Sequence, residues 1–299
     1  MTVQVHGVLR HVLADEVDQL ARGIADDLRS GRADQAARRT LGVPSTINPG
    51  LLLHRLWLDA DRNEAKSDEM KTALRAAQLR AVAAACRQVP DDLLDGLHAR
   101  RRSAATTLVA GHPGWTWRPV LIEPMWRLVV GHGEDSVHES SLTLSSTYGV
   151  PVLPGTALKG LAAAAAGENG WAERDTTLFG APRPGQAAEA HRGSVLIWDA
   201  VPTRPPELVL DVLTPHVKDY YDAGNSTGIP HVAPAEYHNP VPVRFLAVQN
   251  TPFCGYLLGP TDDVTRCAQL IRSGLDELGI GGKTAAGYGY CDLPEEAPA

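Results

Sequence analysis

From Thr261 to Leu278 apolar residues return every three or four positions. The pattern then runs into five glycines in eleven residues, Gly279-Ile280-Gly281-Gly282-Lys283-Thr284-Ala285-Ala286-Gly287-Tyr288-Gly289. Val264, Cys267, Ala268, Ile271, Leu275 and Leu278 mark the buried stripe of a helix. Thr261 is placed to cap it, Asp262 and Asp263 suit its positive end, and Gly279 stops it. An apolar run, Phe253 to Leu258, leads in, and a strand over Ala286 to Cys291 leads out. A strand–helix–glycine loop–strand unit is the firmest constraint in the chain.

Reading backwards, Val243 to Val248 precedes Phe253 to Leu258 across a short polar turn, which predicts a hairpin. Val195 to Val201 reads as a strand. Thr156 to Ala166 reads as a helix with Leu158, Leu161, Ala162 and Ala165 on one face and Gly167 as its cap. Trp126 to Val130 reads as a strand. Strand, helix, strand, strand, helix, strand is the ferredoxin-like α+β order, a fold that serves many functions. The stretch about 202–240, rich in Pro, Gly, His and Asn, is an inserted loop region. The first hundred residues read as helical: Leu9 to Leu28, Leu51 to Asp59, Glu64 to Gln88, and Asp91 to Arg102. Composition shifts at Gly111 to Gly114. The expected division is a helical region 1–114, a ferredoxin-like domain 115–293 and a tail 294–299.

Hydrophobic residues make up 43% and charged residues 21%, enough for a real core. No apolar run approaches the roughly 18 residues of a membrane span. The opening residues lack a basic-then-apolar leader pattern, so a cytoplasmic protein is expected. Cys86, Cys254, Cys267 and Cys291 stand singly, which argues against a zinc ribbon or redox pair; Cys254 and Cys267 read as buried thiols. A net charge of −7 weighs against nucleic acid as a partner, but phosphate contacts need only local positive charge.

Three segments carry chemistry. In the glycine segment, backbone amides can approach a phosphate unobstructed, and Lys283 adds charge. Gly282-Lys283-Thr284 matches the end of a Walker A loop, but Glu277 stands where that motif needs glycine, and a helix precedes instead of following. In Pro154-Gly155-Thr156-Ala157-Leu158-Lys159-Gly160, a helix start offers amides to an anion, with Lys159 in the first turn. Asp211-Val212-Leu213-Thr214-Pro215-His216-Val217-Lys218-Asp219-Tyr220-Tyr221 mixes groups suited to phosphate, 2′-OH and stacked bases. Each has a plainer reading: a packed connection, a solvated lysine, a structural loop. Asp211, His216, Asp219, His231 and His238 lack helix-face ligand spacing for a metal.

Together these segments resemble the RAMP superfamily, and within it the sixth-subunit family of the type III-B CRISPR (Cmr) effector. The likeness is carried by Pro154 to Gly160, Thr214 to Tyr221, Asn239-Pro240-Val241-Pro242 and Gly279 to Gly289. Ser145 to Pro151 and Leu178-Phe179-Gly180 also fit. The resemblance implies a ferredoxin-like, RRM-like core and a non-catalytic, RNA-binding structural subunit of a ribonucleoprotein that defends against foreign RNA. It implies the 3′ part of a CRISPR RNA as partner, with target RNA beyond it. Its protein neighbours would be a repeating backbone subunit, a small helical subunit and another RAMP subunit. No cofactor or metal is implied. The expected RNA-binding residues are Gly155, Thr156, Lys159, His216, Lys218, Gly281, Gly282, Lys283 and Thr284, with Lys159 and Lys283 converging on one groove. The rival readings are a RAMP endoribonuclease with His216 as general acid or base, and a scaffold with little RNA contact.

Overall fold

A computed structural model describes residues 3–7, 9, 11–44, 46–60, 67–133, 142–168, 176–180, 191–214, 233, 235 and 242–294. Four strands form one antiparallel sheet: β3 (Trp115–Pro124), β5 (Leu196–Pro202), β8 (Phe253–Pro260) and β9 (Cys291–Asp292). Their spatial order is β5-β8-β3-β9. Helices α6 (Gly155–Glu168) and α8 (Thr261–Glu277) pack together against this sheet. The chain order β3-α6-β5-β8-α8-β9 with that strand order is the ferredoxin-like arrangement expected. Gly274 of α8 lets the helices close, since a Cβ there would lie 2.7 Å from Leu161 Cγ.

A second sheet combines β4 (Arg127–Leu128), β7 (Val243–Gln249) and β6 (Glu207–Leu213), in the order β4-β7-β6. It overturns the expected hairpin: β7 and β8 follow one another but belong to different sheets. Both are central strands with a partner on each side, so neither has an edge left for the other. Their continuous burial fits that position. Thus the inserted region includes the strand β6.

Several boundaries also differ from expectation. The strand expected at Trp126 to Val130 shrinks to the two residues of β4, and the ten-residue β3 precedes it where no strand is expected. Pro119 interrupts its apolar pattern. The proline is tolerated because β3 pairs with β9 only at Glu123 and Pro124, leaving one side of β3 unpaired at Pro119. The last strand begins at Cys291; Thr284–Ala286 form a 3-10 turn instead. Pro260, not Thr261, occupies the α8 N-cap. The Thr261 amide and hydroxyl both donate to the Gly114 carbonyl, at 3.3 and 3.5 Å. Gly167 lies inside α6 and does not cap it.

The N-terminal region is mainly helical: α1 (Ala14–Arg29), α2 (Ala33–Ala36), α3 (Pro49–His54), α4 (Ser67–Arg87) and α5 (Asp91–Ala110). The helix expected over Leu51 to Asp59 ends at His54, and β2 (Leu56–Ala60) pairs antiparallel with β1 (Val3–Gly7). Buried Gln78 ties α4 to this corner by donating to the carbonyls of Leu52 and Leu56, at 2.6 and 2.8 Å. Buried Asp27 accepts from Arg39 at 2.6 Å and from Arg32 at 3.0 Å. Apolar side chains of α1 and α4 belong to one continuous core with those of α6 and α8.

Helix α5 covers the sheet face opposite α6 and α8. Ala105 packs with Cys254, Tyr256 and Leu258, and Arg101 lies over the rings of Tyr256 and Trp198, at 5.4 and 5.9 Å. The sheet surface that an RRM-like domain leaves open is here occupied by the chain itself. Among the described residues α7 (Thr176–Phe179) is a further short helix. All four cysteines are buried and unpaired, as expected of Cys254 and Cys267. Among the described residues no helix is long and apolar enough to cross a membrane.

Candidate functional site

The glycine segment folds back on itself and is stitched to the chain around β4. Ile280 N–H donates to Gly289 O at 2.8 Å, Gly289 N–H to Arg127 O at 2.8 Å, and Gly282 N–H to Val129 O at 2.7 Å. Gly281 has φ +88°, and a Cβ on it would stand 2.3 Å from Val129 O. Lys283 has φ +64°, a left-handed conformation that costs an L-residue roughly 1–2 kcal/mol. The loop therefore holds Lys283 in one place, with its Nζ 5.0 Å from the Phe245 ring centre. Burial pushes the Lys283 ammonium below its usual value. Since Gly282 N–H is already bonded, Gly282 cannot offer its amide to a phosphate without breaking that bond. Gly281 is exposed, and Thr284 is half-buried in the 3-10 turn.

Around this loop lies a network for which the sequence showed no local pattern. Asp211 Oδ2 accepts from Arg127 Nη1 at 2.5 Å and from Tyr288 Oη at 2.6 Å; its Oδ1 accepts from Val212 N–H at 2.8 Å. Burial pushes the Asp211 carboxyl up, but the bonds from Tyr288, Val212 and Arg127 outweigh it and hold the group below the usual range. The Tyr288 hydroxyl is pushed up to about 12 by burial and by its bond to Asp211. The Tyr288 ring lies 4.9 Å from Trp126 and 5.8 Å from Phe245. Arg127 stands over the Trp126 ring at 4.9 Å. His132 meets Phe245 edge-on at 5.7 Å; burial and then the Lys283 charge depress its pKa.

The second expected contact, the start of α6, is differently occupied. Gly155 backs onto β5, where a Cβ would lie 2.2 Å from Ile197 O, and its N–H donates to the Asp199 carboxylate at 2.7 Å. An anion from the protein thus already sits at this helix start. Thr156 and Lys159 are exposed. The start of α6 lies beside β5, while the glycine loop lies beside β4 and β7, where Gly282 N–H meets Val129 O and Lys283 stands over Phe245.

His216, Lys218 and the Asn239 to Val241 part of the proline motif lie outside the described residues. Among the described residues, no group of three or more His, Cys, Asp and Glu could hold a metal ion.

A family model described as the RAMP superfamily matches residues 121–292, more than half of the chain. The chain belongs to the RAMP superfamily. Within this RAMP protein the matched span holds the glycine loop, Lys159 and the Arg127–Asp211–Tyr288 network, while α1 to α5 lie outside it.

A curated relative, the CRISPR system Cmr subunit Cmr6 of Pyrococcus furiosus, is 29% identical over a match covering 54% of this chain and 64% of the relative. The chain thus spans just under two thirds of that relative's length. A chain in the cryo-EM structure of the type III-B Cmr-beta complex bound to cognate target RNA superposes with TM-score 0.59. The match covers 79% of the RAMP protein and 77% of that chain, at 20% identity; this likeness is one of fold. The crystal structure of Cmr6 from Pyrococcus furiosus matches at 25% identity over 60% of this chain and 99% of its own, with TM-score 0.35.

Proposed function

We propose that this RAMP protein is a non-catalytic, RNA-binding structural subunit of a type III-B CRISPR (Cmr) ribonucleoprotein. It works in the cytoplasm, holding the 3′ part of a CRISPR RNA and meeting target RNA. It sits beside a repeating backbone subunit, a small helical subunit and another RAMP subunit. The division into a helical region 1–114 and a RAMP domain 115–293 with an insertion about 202–240 belongs to the same reading. The observation that carries it is the glycine loop, which holds Lys283 in a fixed left-handed conformation, in a chain whose curated relative is a Cmr6 subunit.

In this reading Lys283, with Gly281, Gly282 and Thr284, meets one part of the RNA backbone. Gly155, Thr156 and Lys159 meet another, and His216 and Lys218 reach it from the insertion.

The test is RNA binding by the full chain as a function of salt. Lys283→Ala and Lys159→Ala should each flatten the plot of log affinity against log salt by about 0.7 to 1. Slopes equal to wild type for both variants would remove the phosphate roles. Incubation with repeat RNA should leave it intact; cleavage at a defined position would overturn the non-catalytic assignment.

A further inference from the structure

Among the exposed large apolar side chains of the described residues, Trp126 is the one aromatic, with half of its surface in solvent. Its neighbour Met125 is exposed as well. An indole left open to water is ordinarily unfavourable, yet this one is firmly supported. Tyr288 flanks it at 4.9 Å, Arg127 covers it at 4.9 Å, and the single carboxylate of Asp211 binds both supports. The Arg127 Nε is buried and makes no hydrogen bond, so one donor beside the ring is left over. From Trp126 a chain of rings runs through Tyr288 and Phe245 to the Lys283 ammonium.

We propose that Trp126 is a stacking platform for one unpaired RNA base, with Asp211 positioning Arg127 and Tyr288 beneath it. This rests on the RNA-binding reading above and adds a base contact to its phosphate contacts. An indole held in place loses little conformational freedom on binding. Within this network of described residues, two cations, Arg127 and Lys283, stand with one carboxylate, Asp211. That balance favours a polyanion over a protein neighbour, on a chain whose net charge is −7. Stacking uses the π-face common to all bases, so the platform takes any base.

Anisotropy titrations of the full chain with two labelled oligomers of equal length, one of uridines and one abasic, separate the contacts. Trp126→Ala should weaken uridine binding roughly 10-fold while leaving its salt slope and the abasic affinity unchanged. Trp126→Phe keeps a ring and should retain most of the affinity. Lys283→Ala should instead flatten the salt slope for both oligomers. If the wild type binds both oligomers and Trp126→Ala matches it on uridines, the platform is refuted and the indole is left to a protein neighbour. An equal loss on the abasic oligomer refutes it too. If the wild type binds neither oligomer, the RNA-binding reading itself fails, and this proposal with it.

Discussion

Arg127 and Asp211 meet at 2.5 Å although their strands, β4 and β6, are separated by β7 and never pair. The contact reaches over the β7 strand, and Tyr288 from the glycine segment closes on the same carboxylate oxygen. One acidic side chain thereby ties the second sheet to the loop that carries Lys283.

Asp211→Ala should therefore loosen both. It leaves a half-buried guanidinium and a buried tyrosine without their acceptor, a loss of about 1–3 kcal/mol. Urea denaturation should show a lower midpoint with little change in slope. Asp211→Asn keeps an acceptor oxygen and should lose less.

The same carboxylate makes stability depend on acid. Its folded pKa lies below the ordinary 3.8, so its contribution is complete above that value and is lost as pH falls through the folded value. Melting temperatures of wild type and Asp211→Asn measured down to pH 3 should converge as the medium becomes more acidic. A constant gap between them would contradict the assignment.

Two glycines of one loop should differ in their tolerance of a methyl group. Gly281→Ala adds a Cβ 2.3 Å from Val129 O at φ +88°, and about 2 kcal/mol or more should be lost. Gly287 has φ +87° but open space around it, so Gly287→Ala should cost only about 1 kcal/mol. Thermal melts of the two variants give the comparison.

At the other turn, Asp199→Ala removes the carboxylate that Gly155 N–H binds. Loss of such a cap lowers stability by about 1 kcal/mol. Because the carboxylate also repels phosphate, RNA affinity at low salt should rise in this variant. Filter binding beside a melting curve reads both effects.

Local pattern determined a good deal of this protein. The apolar period of α8 and its glycine stop, the helix α6, and the strand runs of β5, β7 and β8 are all written in neighbouring residues. So is the mixed helix-and-strand class, because each is set by side-chain spacing along one element; the first strand of the ferredoxin-like sheet, β3, was not legible in this way. Tertiary structure alone decided which strand each run paired with. The sequence-adjacent runs β7 and β8 go to separate sheets because each is flanked there by two other strands. It also placed α5 on the open sheet face, gave the Gly155 amide to Asp199 and the Gly282 amide to Val129, and assembled Arg127, Asp211 and Tyr288 from positions more than seventy residues apart. Such contacts depend on how elements dock, and no spacing within a single element encodes them.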